Sequence, residues 1–285
     1  MRQPTLAFLL SLPRSGSTLL TAMLDRRKGI ICMPESSFPQ VLGKLSSKER
    51  GDAFRLAALY QSSTFVPTPL SLEEAAACMK GDDEQILVSL GLAVAAKTGR
   101  DPSKISTILW KTTRTIGMNE GPIATSGKFV VLRRHPLNVF ESQFRVDFGL
   151  HNRRPWRFAL FLQSYEHAFS RLPKDRLLEL EYEKIPEQIS GLLNFLGVKD
   201  QGEWEGGISS FEKVAENCSW LTEITGEFNN KDQEKRARLD PRQVGILEHA
   251  IELTSPLRPW MCFIRKHYDI KSLKDIQSRV TKLHS

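Results

Sequence analysis

The chain has only four cysteines, Cys32, Cys78, Cys218 and Cys262, and they stand far apart. No C-x-x-C pair and no histidine at ligand spacing accompanies them, which excludes a zinc site and a disulfide scaffold. Long hydrophobic runs are also lacking. The run from Leu6 to Leu12 is broken by Pro13 and Arg14 far short of a membrane span, and the charged start and small-residue cleavage site of a secretory signal are missing. The expectation is a soluble, cytoplasmic protein with no membrane span. Repeats and low-complexity linkers are absent too, so a single domain is expected over residues 1–285.

What is present is ordinary globular composition, with 40% hydrophobic and 26% charged residues, enough for a sizeable core. The net charge of +7 suits polyanionic ligands such as nucleotides, acidic peptides or sulfated glycans, although a diffuse basic surface accounts for it equally well.

Apolar runs alternate with helical patterns along the chain. Leu6–Leu12, Gly29–Met33, Ile105–Trp110, Lys128–Arg133 and Arg176–Tyr182 read as five strands. Helical stretches lie between them: after Pro13, from about Ser46 to Lys97, after Pro136 with Leu137, Phe140 and Phe144 on one face, from Pro155 to Leu172, and from Ile185 to Leu196. This order predicts an α/β fold, a three-layer parallel sheet with helices on both faces. Beyond Gly197 a helical C-terminal layer is expected over 198–285, with Asn229–Arg236 as a polar loop and helices over Pro241–Leu253 and Met261–Leu283. Ligands of such sheets collect at the carboxyl ends of the strands, where Arg14, Glu35, Lys111 and Arg134 fall.

Between the first strand and its helix, Pro13-Arg14-Ser15-Gly16-Ser17-Thr18 forms a P-loop-like strand-loop-helix. Small residues let backbone N–H groups close on an anion, the helix N-terminus adds positive partial charge, and Arg14 offers a planar fork. A Walker A loop would read G-x-x-x-x-G-K-[ST]; here Ser11 stands at the first glycine and Ser17 at the lysine. The alternative is an ordinary strand-turn-helix with Ser17 as its N-cap. A second segment, Arg134-His135-Pro136 through Ser142, places an arginine at a strand end and a serine eight residues later on the next helix, where both reach one phosphate or both are solvated.

Taken together, the two segments resemble the nucleotide motifs of the sulfotransferase family that uses 3′-phosphoadenosine 5′-phosphosulfate (PAPS). The resemblance runs over residues 5–197. It implies that Arg14, Ser15, Gly16, Ser17 and Thr18 grip the 5′-phosphosulfate and that Arg134 and Ser142 grip the 3′-phosphate. Pro34-Glu35-Ser36 after the second strand and Lys111 in Trp110-Lys111-Thr112 are most similar to the tyrosylprotein and bacterial branch, which makes Glu35 the catalytic base and Arg14 and Lys111 its electrostatic partners. Glu181-Tyr182-Glu183-Lys184-Ile185 is similar to the family's Y-E-x-[LI] strand, with Tyr182 either a nucleotide contact or a buried strand tyrosine.

The departures are informative. Ser37 stands where tyrosylprotein enzymes carry the arginine that reads acidic acceptor peptides, and no histidine occupies the place of the small-molecule branch's base. The resemblance implies sulfuryl transfer from PAPS, leaving adenosine 3′,5′-bisphosphate (PAP), with no metal required and no nucleic-acid partner. The acceptor is a hydroxyl or amine of a small molecule, carbohydrate or peptide. Two other readings stay open: a P-loop phosphotransferase using ATP and Mg²⁺, and a catalytically idle nucleotide or polyanion binder.

Overall fold

A computed structural model of the chain describes residues 3–65, 67–113, 121–145, 154–198 and 232–260. Within them, the described parts of Met1–Arg133 and Leu172–Asn229 form one compact unit, and those of Arg134–Arg171 and Asn230–Ser285 form another.

The first unit is built on five parallel strands, β1 (Thr5–Ser11), β2 (Ile30–Met33), β3 (Thr107–Thr112), β4 (Lys128–Arg133) and β5 (Leu177–Glu181), in the order β2-β3-β1-β4-β5. From Leu6 to Ser11 every residue of β1 is buried, as a strand covered on both faces requires. Ala7 and Leu9 point into one core, where they meet Leu20 and Leu24 of α1 (Ser17–Asp25) and Leu192, Leu193 and Leu196 of α9 (Ile185–Leu196). On β1's alternate positions, Phe8 stacks on Phe129 with ring centroids 5.5 Å apart. Trp110 of β3 packs with Phe38 and Tyr60, which belong to α2 (Phe38–Leu42) and α4 (Ala53–Ser63). Burial pushes the Tyr60 phenol up to about 12.

The insertion between β2 and β3 is helical, as its pattern predicts: α2, α3 (Ser47–Arg50), α4, α5 (Leu72–Ala77) and α6 (Asp83–Lys97). Capping boxes start α3, α5 and α6, with Ser46 and Glu49, Ser71 and Glu74, and Asp82 and Gln85 satisfying each other's backbone N–H groups. Gly91 lets α6 lie close on the sheet, because a Cβ there would overlap the side chain of Ile108. A buried ion pair closes the far corner: Arg100 Nη2 stands 2.9 Å from Asp25 Oδ2, with the side chains 5% and 0% exposed, and Asp25 Oδ1 accepts from Cys32 N at 2.9 Å.

The second unit is helical: α7 (Pro136–Arg145), α8 (Pro155–Ser170), α10 (Asp232–Arg236) and α11 (Pro241–Thr254), with a final 3₁₀ turn. Here α11 packs along α8.

Several local expectations shift. The third strand runs two residues later than the apolar pattern suggested, because its ladder begins where Thr107 pairs with Thr5 and Ile30; Lys111 therefore lies inside the strand. Tyr182 opens a 3₁₀ turn after β5. The expected polar loop contains α10, whose charged face hid a helical turn held by tertiary hydrogen bonds. Phe144 of α7 is exposed, while Leu137 and Phe140 are buried. Residues 229–231 and the helix expected over 261–283 lie outside the described residues.

Candidate active site

The loop after β1 turns tightly, with Ser15 N donating to Leu12 O at 3.2 Å. Arg14 sits at φ 73, the left-handed region that costs a non-glycine residue about 1–3 kcal/mol. Gly16 follows at φ 89 and is the N-cap of α1, so Ser17 is the first helical residue and not the cap. No side chain caps the helix and its first turn carries no acidic residue. The opening N–H groups of a helix have no intrahelical acceptor, so these amides are directed at whatever anion the loop receives. Ser15 Oγ is buried without a hydrogen-bond partner, as is Ser11 Oγ at the end of β1. A phosphate or sulfate oxygen would satisfy the Ser15 hydroxyl, which fits the loop to a nucleotide ester.

Tyr182 lies beneath this loop. Its ring packs so closely on Gly16 that a Cβ there would overlap it, and the side chain is buried in the core with Leu9, Leu20 and Leu180.

The sheet order sets the rest of the first unit's site. Since β3 lies between β1 and β2, a side chain at its carboxyl end reaches the segments that leave both neighbours. Lys111 does so: its Nζ donates to Thr18 Oγ1 at 2.6 Å and stands 2.8 Å from Glu35 Oε2. The Lys111 side chain is 4% exposed and that of Glu35 23%, so the pair has a buried cationic end and a carboxylate open to solvent.

The backbone of Glu35 is pinned on both sides. Ser36 N donates to Lys111 O at 3.1 Å, and Phe65 N donates to Glu35 O at 2.9 Å. A residue that sequence reasoning passed over completes the cluster: the Thr113 hydroxyl donates to Glu35 Oε1. It lies two positions beyond Lys111, on the same side of an extended segment by strand alternation, and that spacing was the available signal.

Arg134 and Ser142 belong to the second unit. Ser142 is buried on α7, and Arg134, the residue after Arg133 in the chain, forms a two-point pair with Asp232 of α10. Neighbouring His135 shapes the turn into α7, its Nδ1 accepting from Leu137 N at 3.3 Å. Arg133, by contrast, is spent on the sheet: its Nε donates to Glu179 Oε2 at 2.9 Å and holds that carboxyl below its usual range. Burial, with Arg134 second, lowers the Lys235 ammonium, while Asp232 and Glu141 act against the shift.

Among the described residues no helix is long and apolar enough to cross a membrane, and no three His, Cys, Asp or Glu side chains are grouped to hold a metal ion.

A family model described as "Sulfotransferase family" matches residues 7–201. Among solved structures, the sulfotransferase domain from the curacin biosynthetic pathway is 21% identical, with 90% of this chain and 99% of that one covered and a TM-score of 0.50. The sulfotransferase domain from the Synechococcus PCC 7002 olefin synthase is 20% identical over 89% of this chain and 96% of that one, with a TM-score of 0.49. A mouse sulfotransferase, SULT7A1, complexed with PAP, is 13% identical over 88% and 84% with a TM-score of 0.40. No curated protein sequence matches the chain. At this identity, the curacin-pathway domain shows a shared α/β fold, a parallel sheet flanked by helices.

Proposed function

The chain belongs to the sulfotransferase family, and from that membership we propose how its residues divide the transfer of a sulfuryl group from PAPS. The observation that carries the reading is the position of Lys111, whose ammonium is shared between Thr18 of the anion loop and the Glu35 carboxylate. One cation thus touches both the phosphate grip and the base.

Arg14, the N–H groups of Gly16 and Ser17, and the hydroxyls of Ser15, Ser17 and Thr18 hold the 5′-phosphosulfate. Arg134 and Ser142 hold the 3′-phosphate, and Tyr182 supports the loop from below. In the transfer, the acceptor oxygen or nitrogen forms a bond to sulfur as the bond from sulfur to the 5′-phosphate oxygen breaks. The acceptor's proton passes to Glu35, and the charge left on the phosphate oxygen is met by Lys111 and Arg14. The acceptor is a hydroxyl or amine of a small molecule, carbohydrate or peptide. Glu35 as base links the chain to the tyrosylprotein and bacterial branch, while Ser37 argues against an acidic tyrosine peptide. Free Cys32 and Cys78 suit the reducing cytoplasm.

Ligand stabilisation and one variant test this reading together. PAP without magnesium raises the melting temperature, and ATP with Mg²⁺ does so much less; the reverse ranking would favour a phosphotransferase. A screen of hydroxyl, phenol, carbohydrate and peptide acceptors with labelled PAPS then identifies a substrate. With it, Glu35→Gln keeps PAP binding and loses about a hundred- to ten-thousandfold in transfer. Wild-type turnover by the variant removes Glu35 as base, and PAP binding with no transfer to any acceptor points to an idle binder.

A further inference from the structure

Arg134, the residue assigned to the 3′-phosphate, already faces an anion in its own unit. Its Nε donates to Asp232 Oδ2 at 3.2 Å, and its Nη2 closes on Oδ1, so the planar guanidinium meets the planar carboxylate at two points. Both side chains are 4% exposed. Asn138 of α7 adds a third donor, its Nδ2 standing 2.6 Å from Asp232 Oδ2, while its Oδ1 accepts from Arg236 Nε at 3.1 Å. Asp232 therefore occupies a cradle of charged and neutral donors, which is the arrangement a phosphate oxygen pair requires.

We propose that Asp232 is a tethered stand-in for the nucleotide's 3′-phosphate: its carboxylate holds Arg134 until the phosphate displaces it, and so tempers the affinity for 3′-phosphorylated nucleotides while leaving that for nucleotides without the group unchanged. This rests on the assignment of the 3′-phosphate to Arg134 and Ser142.

The charges favour such an exchange. A carboxylate brings one negative charge and two oxygens, whereas a phosphate monoester near neutral pH brings nearly two charges and three oxygens. The surroundings hold more cations than Asp232 neutralises. Lys235 and Arg236 flank it on α10, and Arg145 and Arg238 converge on Glu141 of α7, one position from Ser142. A nucleotide without the 3′-phosphate has nothing to offer Arg134, so the buried pair stays closed and only nucleotides carrying that group gain its contacts. A carboxylate beside a bound dianion is repelled, so the exchange also moves the start of α10 off Arg134.

A purely positioning role, in which Asp232 steadies Arg134 for the phosphate, predicts the opposite sign on mutation. Calorimetric titration of PAP and of adenosine 5′-monophosphate into wild type, Asp232→Asn and Asp232→Ala separates the two. If the carboxylate leaves a tenth or less of the molecules competent, both variants bind PAP about tenfold more tightly, while adenosine 5′-monophosphate changes less than about twofold. Unchanged or weaker PAP binding overturns the proposal, as does equal tightening for both nucleotides. Equal affinity of wild type for the two nucleotides is a different failure, that of the 3′-phosphate assignment to Arg134 and Ser142. Should the variants not fold, hydrogen exchange on wild type decides: amides of residues 232–236 exchange faster with PAP and not with adenosine 5′-monophosphate, and unchanged or slower exchange with PAP overturns the proposal.

Discussion

The ring of Tyr182 lies against Gly16 so closely that a single added carbon at the glycine would overlap it. Two constraints thus fall on one residue, since Gly16 also sits at φ 89. Gly16→Ala is expected to cost about 2–4 kcal/mol, read from urea denaturation, and to abolish stabilisation by PAP. Combining it with Tyr182→Leu should lose less than the sum of the two single changes, because the overlap is relieved while the backbone strain remains.

Lys111 is expected to act in the transfer step more than in holding the fold. Lys111→Met removes the cation that faces both Thr18 and Glu35, and single-turnover transfer of labelled sulfuryl should fall about a hundred- to thousandfold. The loss of PAP affinity should stay below about tenfold, because Arg14 and the backbone amides remain. A variant that binds PAP poorly but transfers at the normal rate once saturated would place Lys111 in binding alone.

Thr113 is placed to position Glu35, the proposed base. Thr113→Val keeps the shape and removes the hydroxyl that donates to Glu35 Oε1, so kcat should drop about tenfold with KM for PAPS unchanged. Thr113→Ser should recover most of the loss, and failure of that rescue would reduce the contact to packing.

The corner between α1 and β2 gives a stability test remote from the chemistry. Arg100→Ala takes the guanidinium from the fully buried Asp25 carboxylate and should cost about 3–5 kcal/mol in chemical denaturation. Cys32 reports the same corner in wild type: burial, then Asp25, pushes its thiol well above the usual range, with Arg100 opposing. A raised thiol stays protonated as pH climbs, so iodoacetamide at about pH 8.5, where a free thiol is half ionised, should leave Cys32 unmodified in the native protein.

Four strands of the sheet were readable because they are buried and stand out as apolar runs, and β5 because it alternates; the loop was readable because it sits between such a run and a helix. Glu35 and Lys111 were legible as residues at strand ends. Their contact was not, since it depends on β3 lying between β1 and β2, an order that no local pattern encodes. Asp232 was invisible for a stronger reason: it lies 98 positions from Arg134 in a charged stretch that resembles any solvated loop. Thr113 lay within reach, two residues past Lys111, had the alternation of the strand been followed one step further.

The strand order has a consequence for the chain's synthesis. Of the five strands β1 leaves the ribosome first, yet its partners are β3 and β4, with Thr5 beside Thr107 and Ala7 beside Lys128. At about 5–20 residues per second, β1 waits roughly 5–20 s before either neighbour exists. Throughout that interval Leu6, Phe8 and Leu10 have no sheet to join, and the segment that leads into the proposed anion loop is open to misassociation while the protein is being made.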